Sequence, residues 1–223
     1  MNIIDLSHQM TPGEEEYLLD IETFNIEELY PQYNRRPQDW YILQKLHLNV
    51  HVGTHIESPY HHRKDGKNLS EIPIESLIGS AVCLDFTHKV PNEVISKEEL
   101  MEAAKPFDLQ GKILFLHLGR DKFYHDPDLG HQRQYPSEDA VSWLVEQGIS
   151  CMAVDATGIE IKGLDYQPNH TTLFAKNIPL VENVTNLDKL PSPEFGVAIL
   201  PLNVKGLESC PVRIIAFLDY SVR

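Results

Sequence analysis

The chain has 223 residues, 42% of them hydrophobic and 23% charged, with 19 Lys+Arg against 33 Asp+Glu and a formal net charge of -14. That length can bury a substantial core and fits a soluble globular protein. The acidic excess excludes partners recognised through cationic surfaces, because nucleic-acid phosphates and anionic membranes both demand Lys and Arg.

In chain order, residues 2–6 are expected to form a short strand. Residues 13–41 are acidic and aromatic without a clear period, and they predict loops with short helical turns. No basic residue precedes Arg35, whereas Asp5, Glu14, Glu15, Glu16, Asp20, Glu22, Glu27 and Glu28 all do. Leu46, Leu48, Val50 and Val52 alternate with His47, Asn49 and His51, the pattern of a strand with one buried face. Apolar runs at 81–86, 112–118, 150–155, 195–204 and 212–220 predict further strands. Ser96 and Glu99 form a capping box ahead of a helix that Pro106 stops. Ser137 can cap a second helix, with Glu138 and Asp139 in its first turn and Gly148 past its end. No repeat or low-complexity linker divides the chain. Residues 1–223 are therefore expected to form a single α/β domain with a large mixed sheet and few helices.

The start, MNIIDLSHQM, has no basic opening or long apolar run, so no secretory signal is expected. No stretch approaches the ~20 apolar residues that span a bilayer. Cys83, Cys151 and Cys210 form no CxxC pair and no disulfide framework, and they are expected to pack as small apolar residues. These features predict a cytoplasmic protein.

Four of the 11 histidines fall within HVGTHIESPYHH, from His51 to His62. Gly53, Thr54, Ile56 and Pro59 make a helix unfavourable there. In an extended chain His51, His55 and Glu57 point to one side, with His51 and His55 about 13 Å apart. A shared metal then requires a bend, which Gly53 permits. Two imidazoles and a carboxylate suit a borderline divalent ion such as Zn²⁺ or Mn²⁺. A structural polar cluster is the other reading of the same residues. His61, beyond the rigid Pro59, is placed as a general acid or base.

HVGTHIESPYHH resembles the HxGTHxDxPxH signature of the cyclase-type metal-dependent hydrolases, which include bacterial kynurenine formamidase and isatin hydrolase. The opening Ile4-Asp5-Leu6-Ser7-His8, the stretch from Tyr135 and Pro136 through Trp143 and Leu144, and the block HTTLFAKNIPLVENVTNL from His170 to Leu187 extend the resemblance over most of the chain. The resemblance implies a swivelling β/β/α fold assembled as a homodimer or homotetramer. It implies one or two divalent ions, zinc or manganese, held by His51, His55, Glu57, His170 and Glu182, with Glu57 bridging. It makes His61 the catalytic residue. No residue is assigned to an organic cofactor.

The implied activity is hydrolysis of a small amide by metal-activated water, with N-formylkynurenine, giving kynurenine and formate, the first expectation. Opening of a lactam, as in isatin hydrolase, is one alternative. A non-catalytic metal or small-molecule binding protein on the same fold is another. Three departures bear on these readings. Glu57 stands where the signature has Asp. Asp155-Ala-Thr-Gly158-Ile-Glu160 replaces a serine with Gly158 and lengthens the final acid to Glu160. Leu118-Gly119-Arg120 stands in place of Thr-Gly-Trp. The acidic segment 13–41 also differs from the family and is where a substrate lid is expected. His47, His62 and His88 are expected to be structural or exposed.

Overall fold

The densest apolar runs of the sequence become the centre of one sheet. The computed structural model describes residues 2–218. Its first elements are β1 (Ile3–Asp5), β2 (Leu19–Asn25), α1 (Ile26–Leu29), β3 (Ile42–Leu48), β4 (His55–Glu57) and β5 (Ile78–Asp85). Next come β6 (Val94–Ile95), α2 (Lys97–Ala104), β7 (Ile113–His117), α3 (Pro127–Gly130), β8 (Tyr135–Pro136) and α4 (Glu138–Glu146). The chain continues through β9 (Cys151–Val154), α5 (Pro168–Ala175), β10 (Leu180–Glu182), β11 (Glu194–Leu200), β12 (Ser209–Pro211) and β13 (Arg213–Phe217).

Nine strands form a mixed sheet in the order β1-β13-β11-β5-β7-β9-β10-β4-β12. The central strands β5, β7, β9 and β10 run parallel. Antiparallel pairs flank them on both sides. This is the mixed α/β architecture the apolar runs predict. The strand expected over 212–220 is β13; residues 219 and 220 lie outside the described residues.

Central strands are apolar on both faces because both faces are covered. Leu114 and Leu116 of β7 pack on one side with Val82, Leu84, Met152 and Val154, where the helices supply Leu100, Val141, Leu144 and Leu173. Ile113 and Phe115 pack on the other side with Cys151, Ala153, Val197 and Ile214. Leu6, Ile56 and Cys210 come from opposite ends of the strand order yet share this second cluster, so the sheet curls over it.

The Ser96 capping box forms as expected. Glu99 N donates to Ser96 Oγ at 3.2 Å, and Ser96 N donates to the Glu99 carboxylate at 2.8 Å. Ser137 precedes α4, but its hydroxyl donates to Asp139 rather than accepting from the helix backbone.

Two expectations are corrected. Residues 13–41 hold more than loops and helical turns, because β2 lies within them. It pairs with β3 in a separate two-stranded sheet, with Ile21 opposite Leu46 and Leu19 opposite Leu48. The alternating residues of 46–52 do not form one buried strand face either, since only Val52, beyond the strand, is buried. β3 ends at Leu48, and Leu46 is 59% exposed. Period two is satisfied there by a hairpin whose apolar face the described chain covers only near Leu19.

Phe115 has no exposed surface. Phe115→Ala is expected to lower stability by about 3–5 kcal/mol through lost transfer energy and a residual cavity, read from urea unfolding midpoints.

Candidate metal centre

The site begins with a turn. Gly53 has φ +72°, a left-handed conformation, and a Cβ there would stand 2.3 Å from Met10 Sδ. Only glycine fits without strain. The turn folds His51 back on His55, so that His51 Nδ1 and His55 Nε2 are 3.3 Å apart.

Strand register then delivers the acids. Antiparallel pairing of β4 with β10 sets Glu182 opposite His55. On its other edge β12 pairs Ser209 with Glu57. That pairing brings in Glu208, whose carbonyl accepts from Ser58 N at 2.8 Å and from Ser58 Oγ at 2.9 Å. His170 enters from the first turn of α5, opened by Pro168, whose missing N–H is no loss at that position. Glu160 accepts the backbone N–H of His170 at 2.8 Å and lies 2.6 Å from its Nδ1.

Each of three imidazoles therefore has one nitrogen tied outside the cluster and the other turned inward. His170 Nδ1 meets Glu160, and its Nε2 lies 3.2 Å from Glu57 and 3.5 Å from Glu182. His55 Nδ1 meets the Gly53 carbonyl at 2.9 Å, and its Nε2 lies 3.6 Å from Glu57 and 3.7 Å from Glu182. His51 Nε2 meets Glu208 at 3.0 Å, and its Nδ1 lies 2.9 Å from Glu57. An outer acceptor that fixes the ring and tautomer is the usual support of a metal-binding histidine.

Among the described residues, two triads offer ligand atoms within 4.8 Å of one another: His51, Glu57 and His61, and His55, Glu57 and Glu182. Glu57 belongs to both, so its longer side chain still reaches across the cluster. Its Oε2 is buried without an aligned hydrogen bond, although His170 Nε2 is 3.2 Å away. An unsatisfied buried carboxylate oxygen is costly. A three-imidazole, two-carboxylate set with that orphan oxygen fits a divalent cation of borderline softness.

The electrostatics agree. Burial opposes a charge on His51, but hydrogen bonds with Glu208 and Glu57 outweigh it and push the imidazole up to about 10. For His170, burial is likewise outweighed by Glu160, Glu182 and Glu57, and its value rises to about 11. Burial opposes ionisation of Glu57, yet His170, His51 and His55 hold it well below the usual carboxylate range. Without a metal, protons on imidazoles balance the carboxylates. A bound dication would take over that role.

His61 stands at the rim, its side chain 30% exposed. Nδ1 lies 2.8 Å from Glu208 Oε2, and Nε2 lies 3.9 Å from Glu57 Oε1. A cavity of about 300 Å³ opens over the cluster, and Tyr17, Arg133, Thr157 and Gln167 help to line it. His62 stays behind the site, stacked on His170 with ring centroids 4.9 Å apart. His47 pairs with Glu22 on the hairpin.

All six sequence-derived residues, His51, His55, Glu57, His61, His170 and Glu182, thus meet in one place. Sequence reasoning missed Glu208 as a partner of His51 and His61, and no local signal marks it. It also noted Glu160 only as a departure from the signature. Its spacing of ten residues from His170 places no carboxylate at a helix N-terminus until the loop folds.

The sequence model of the Cyclase family matches residues 4–161, more than half of the chain. The chain belongs to the Cyclase family. Kynurenine formamidases of Bacillus mycoides and Bacillus cereus are 30% and 29% identical over 174 residues, 77% of this chain and 78% of theirs. An isatin hydrolase bound to the product analogue thioisatinate matches with a TM-score of 0.82 at 17% identity, covering 96% of this chain and 91% of that one. A potential metal-dependent hydrolase with cyclase activity matches with a TM-score of 0.76 at 22% identity, covering 99% of both chains. At these identities the structures establish the fold. The Cyclase match contains His51 through Glu160; the fold adds His170, Glu182 and Glu208.

Glu160→Gln removes the charge that orients His170. Metal affinity is expected to fall about 10–100-fold, measured by competition with a chromophoric chelator.

Proposed function

We propose that this chain is a metal-dependent hydrolase of small aryl amides, with N-formylkynurenine as the first substrate to test. The observation that carries the reading is His61 on the rim of a Glu57-centred donor set, facing a cavity large enough for one aromatic amide. The kynurenine formamidases at about 30% identity support it.

His51, His55, Glu57, His170 and Glu182 would hold one or two ions, zinc or manganese. When bound, such an ion lowers the pKa of water to about 7 and polarises the amide carbonyl. The protein supplies the rest. Glu208 fixes His61 through Nδ1, leaving Nε2 on the cluster side to carry a proton to the departing amine. Glu160 and Glu208 keep the His170 and His51 rings from rotating. The cavity wall positions the aryl group over the donor set.

His61→Ala is expected to retain metal by elemental analysis while turnover falls about 10²–10⁴-fold. Loss of metal in that variant would instead make His61 a ligand. Formyl-kynurenine hydrolysis followed by kynurenine absorbance tests the substrate. Isatin tests the lactam reading, which the fold match to isatin hydrolase supports.

The chain is further proposed to act in the cytoplasm as a homodimer or homotetramer. Three free cysteines fit a reducing compartment. Trp40 is 76% exposed, and Ile21, Tyr33 and Leu46 are exposed nearby on the β2–β3 hairpin and its connection. A lone two-stranded hairpin is marginal in water and gains from being covered. Leu46→Asp is expected to shift the oligomer toward monomer in light scattering, with the far-ultraviolet circular dichroism unchanged.

A further inference from the structure

The floor of the cavity is acidic, with Glu57, Glu160 and Glu182 all in its lining. Arg133 is the one arginine or lysine in that lining among the described residues. An arginine this close to carboxylates ordinarily engages them through its planar fork. Arg133 forms no such pair among the described residues. Two backbone carbonyls hold it instead: Nε donates to Gly158 O at 2.7 Å, and Nη1 donates to His131 O at 3.4 Å.

The remaining nitrogen, Nη2, carries no hydrogen bond among the described residues. It lies 3.1 Å from the point where a Gly158 Cβ would stand, and Glu182 Oε1 lies 3.4 Å from that same point. Gly158 has φ +79° and no side chain, so the space between the guanidinium and the metal-centre carboxylate stays open. A serine there, as in the resembling signature, would fill it. The chain thus keeps one N–H edge of an immobilised guanidinium without a hydrogen-bond partner among the described residues at the cavity, while Glu182 and Glu160 favour its charge.

We propose that Arg133 determines specificity by binding a carboxylate on the substrate, so that the substrates are aryl amides that carry an acid group. Nη2 carries two N–H donors, which suit the acceptor oxygens of a carboxylate. A phosphate would bring up to two charges over an acidic floor, in a cavity that must also hold the aryl group. The proposal rests on the amide-hydrolase reading.

The test uses the full chain loaded with Zn²⁺ and the variants Arg133→Gln and Arg133→Lys. Steady-state kinetics compare N-formylanthranilate, which carries the acid, with formanilide, its neutral parent. In Arg133→Gln the ratio of kcat/KM for acid over neutral substrate is expected to fall about 10–100-fold, mainly through KM, as loss of a charged hydrogen bond implies. Arg133→Lys is expected to recover part of the ratio. A ratio within about twofold of wild type, or equal losses on both substrates with lowered metal content, would overturn the proposal by making Arg133 structural.

Calorimetric titration with anthranilate gives a readout independent of turnover. Binding is expected to weaken by a similar factor in Arg133→Gln, and unchanged binding would overturn the proposal. Wild type that hydrolyses neither amide refutes the amide reading, while the titration still decides the role of Arg133.

Discussion

Four carboxylates, Glu57, Glu160, Glu182 and Glu208, share four histidines, His51, His55, His61 and His170, and the rest of the site depends on how that negative charge is balanced. In a low-dielectric interior such a concentration of like charge is unfavourable unless cations or protons compensate it. Here the imidazoles answer it, and a divalent ion held by His51, His55, Glu57, His170 and Glu182 would answer it with one partner in place of several weak ones. Glu57 Oε2 is buried without an aligned hydrogen bond, with His170 Nε2 3.2 Å away. The same balance explains why Arg133 matters. Backbone carbonyls of Gly158 and His131 hold its Nε and Nη1, so Nη2 is left without a hydrogen bond among the described residues, while Glu182 and Glu160 favour its charge.

The scaffold makes this concentration of charge affordable. β4 is only three residues long, yet it is paired on both edges, and Ile56 between its two ligands is buried in the second apolar cluster. Alternation along the strand sends Ile56 into the core and His55 and Glu57 to the opposite face. The position of the donor set is therefore tied to the packing of the curled sheet. Loosening that packing would move the ligands as a group.

The charge of -14 divides accordingly. Glu57 and Glu182 lie at the metal centre, whereas the acidic stretch before Arg35 contributes to the β2–β3 hairpin. Glu15 and Glu16 reach back toward Tyr124 and His131, and Tyr17 lines the cavity. The acidic stretch thus borders the cavity at its first few residues, and further along Leu19 and Ile21 face Ser7, His8 and Val212 across a second cavity.

Sequence alone determined the local chemistry of this protein. Apolar runs located the central strands, the Ser96–Glu99 box located α2, and HVGTHIESPYHH located the bend, two imidazoles, the acid and His61. These are readable because residues within one turn or one strand constrain each other directly. Residues 46–52 were misjudged because a period of two says that a face is apolar but not what covers it, and β2 within 13–41 was missed because the segment has no clear period and only pairing with β3 marks the strand. Glu208, the helix around His170 and the free edge of Arg133 belong to tertiary structure. Glu208 is 151 residues from Glu57 in sequence, and only the antiparallel register of β12 with β4 brings it beside His51 and His61. Pairing across such distances is set by how whole strands bury their apolar faces, and no short motif carries that information.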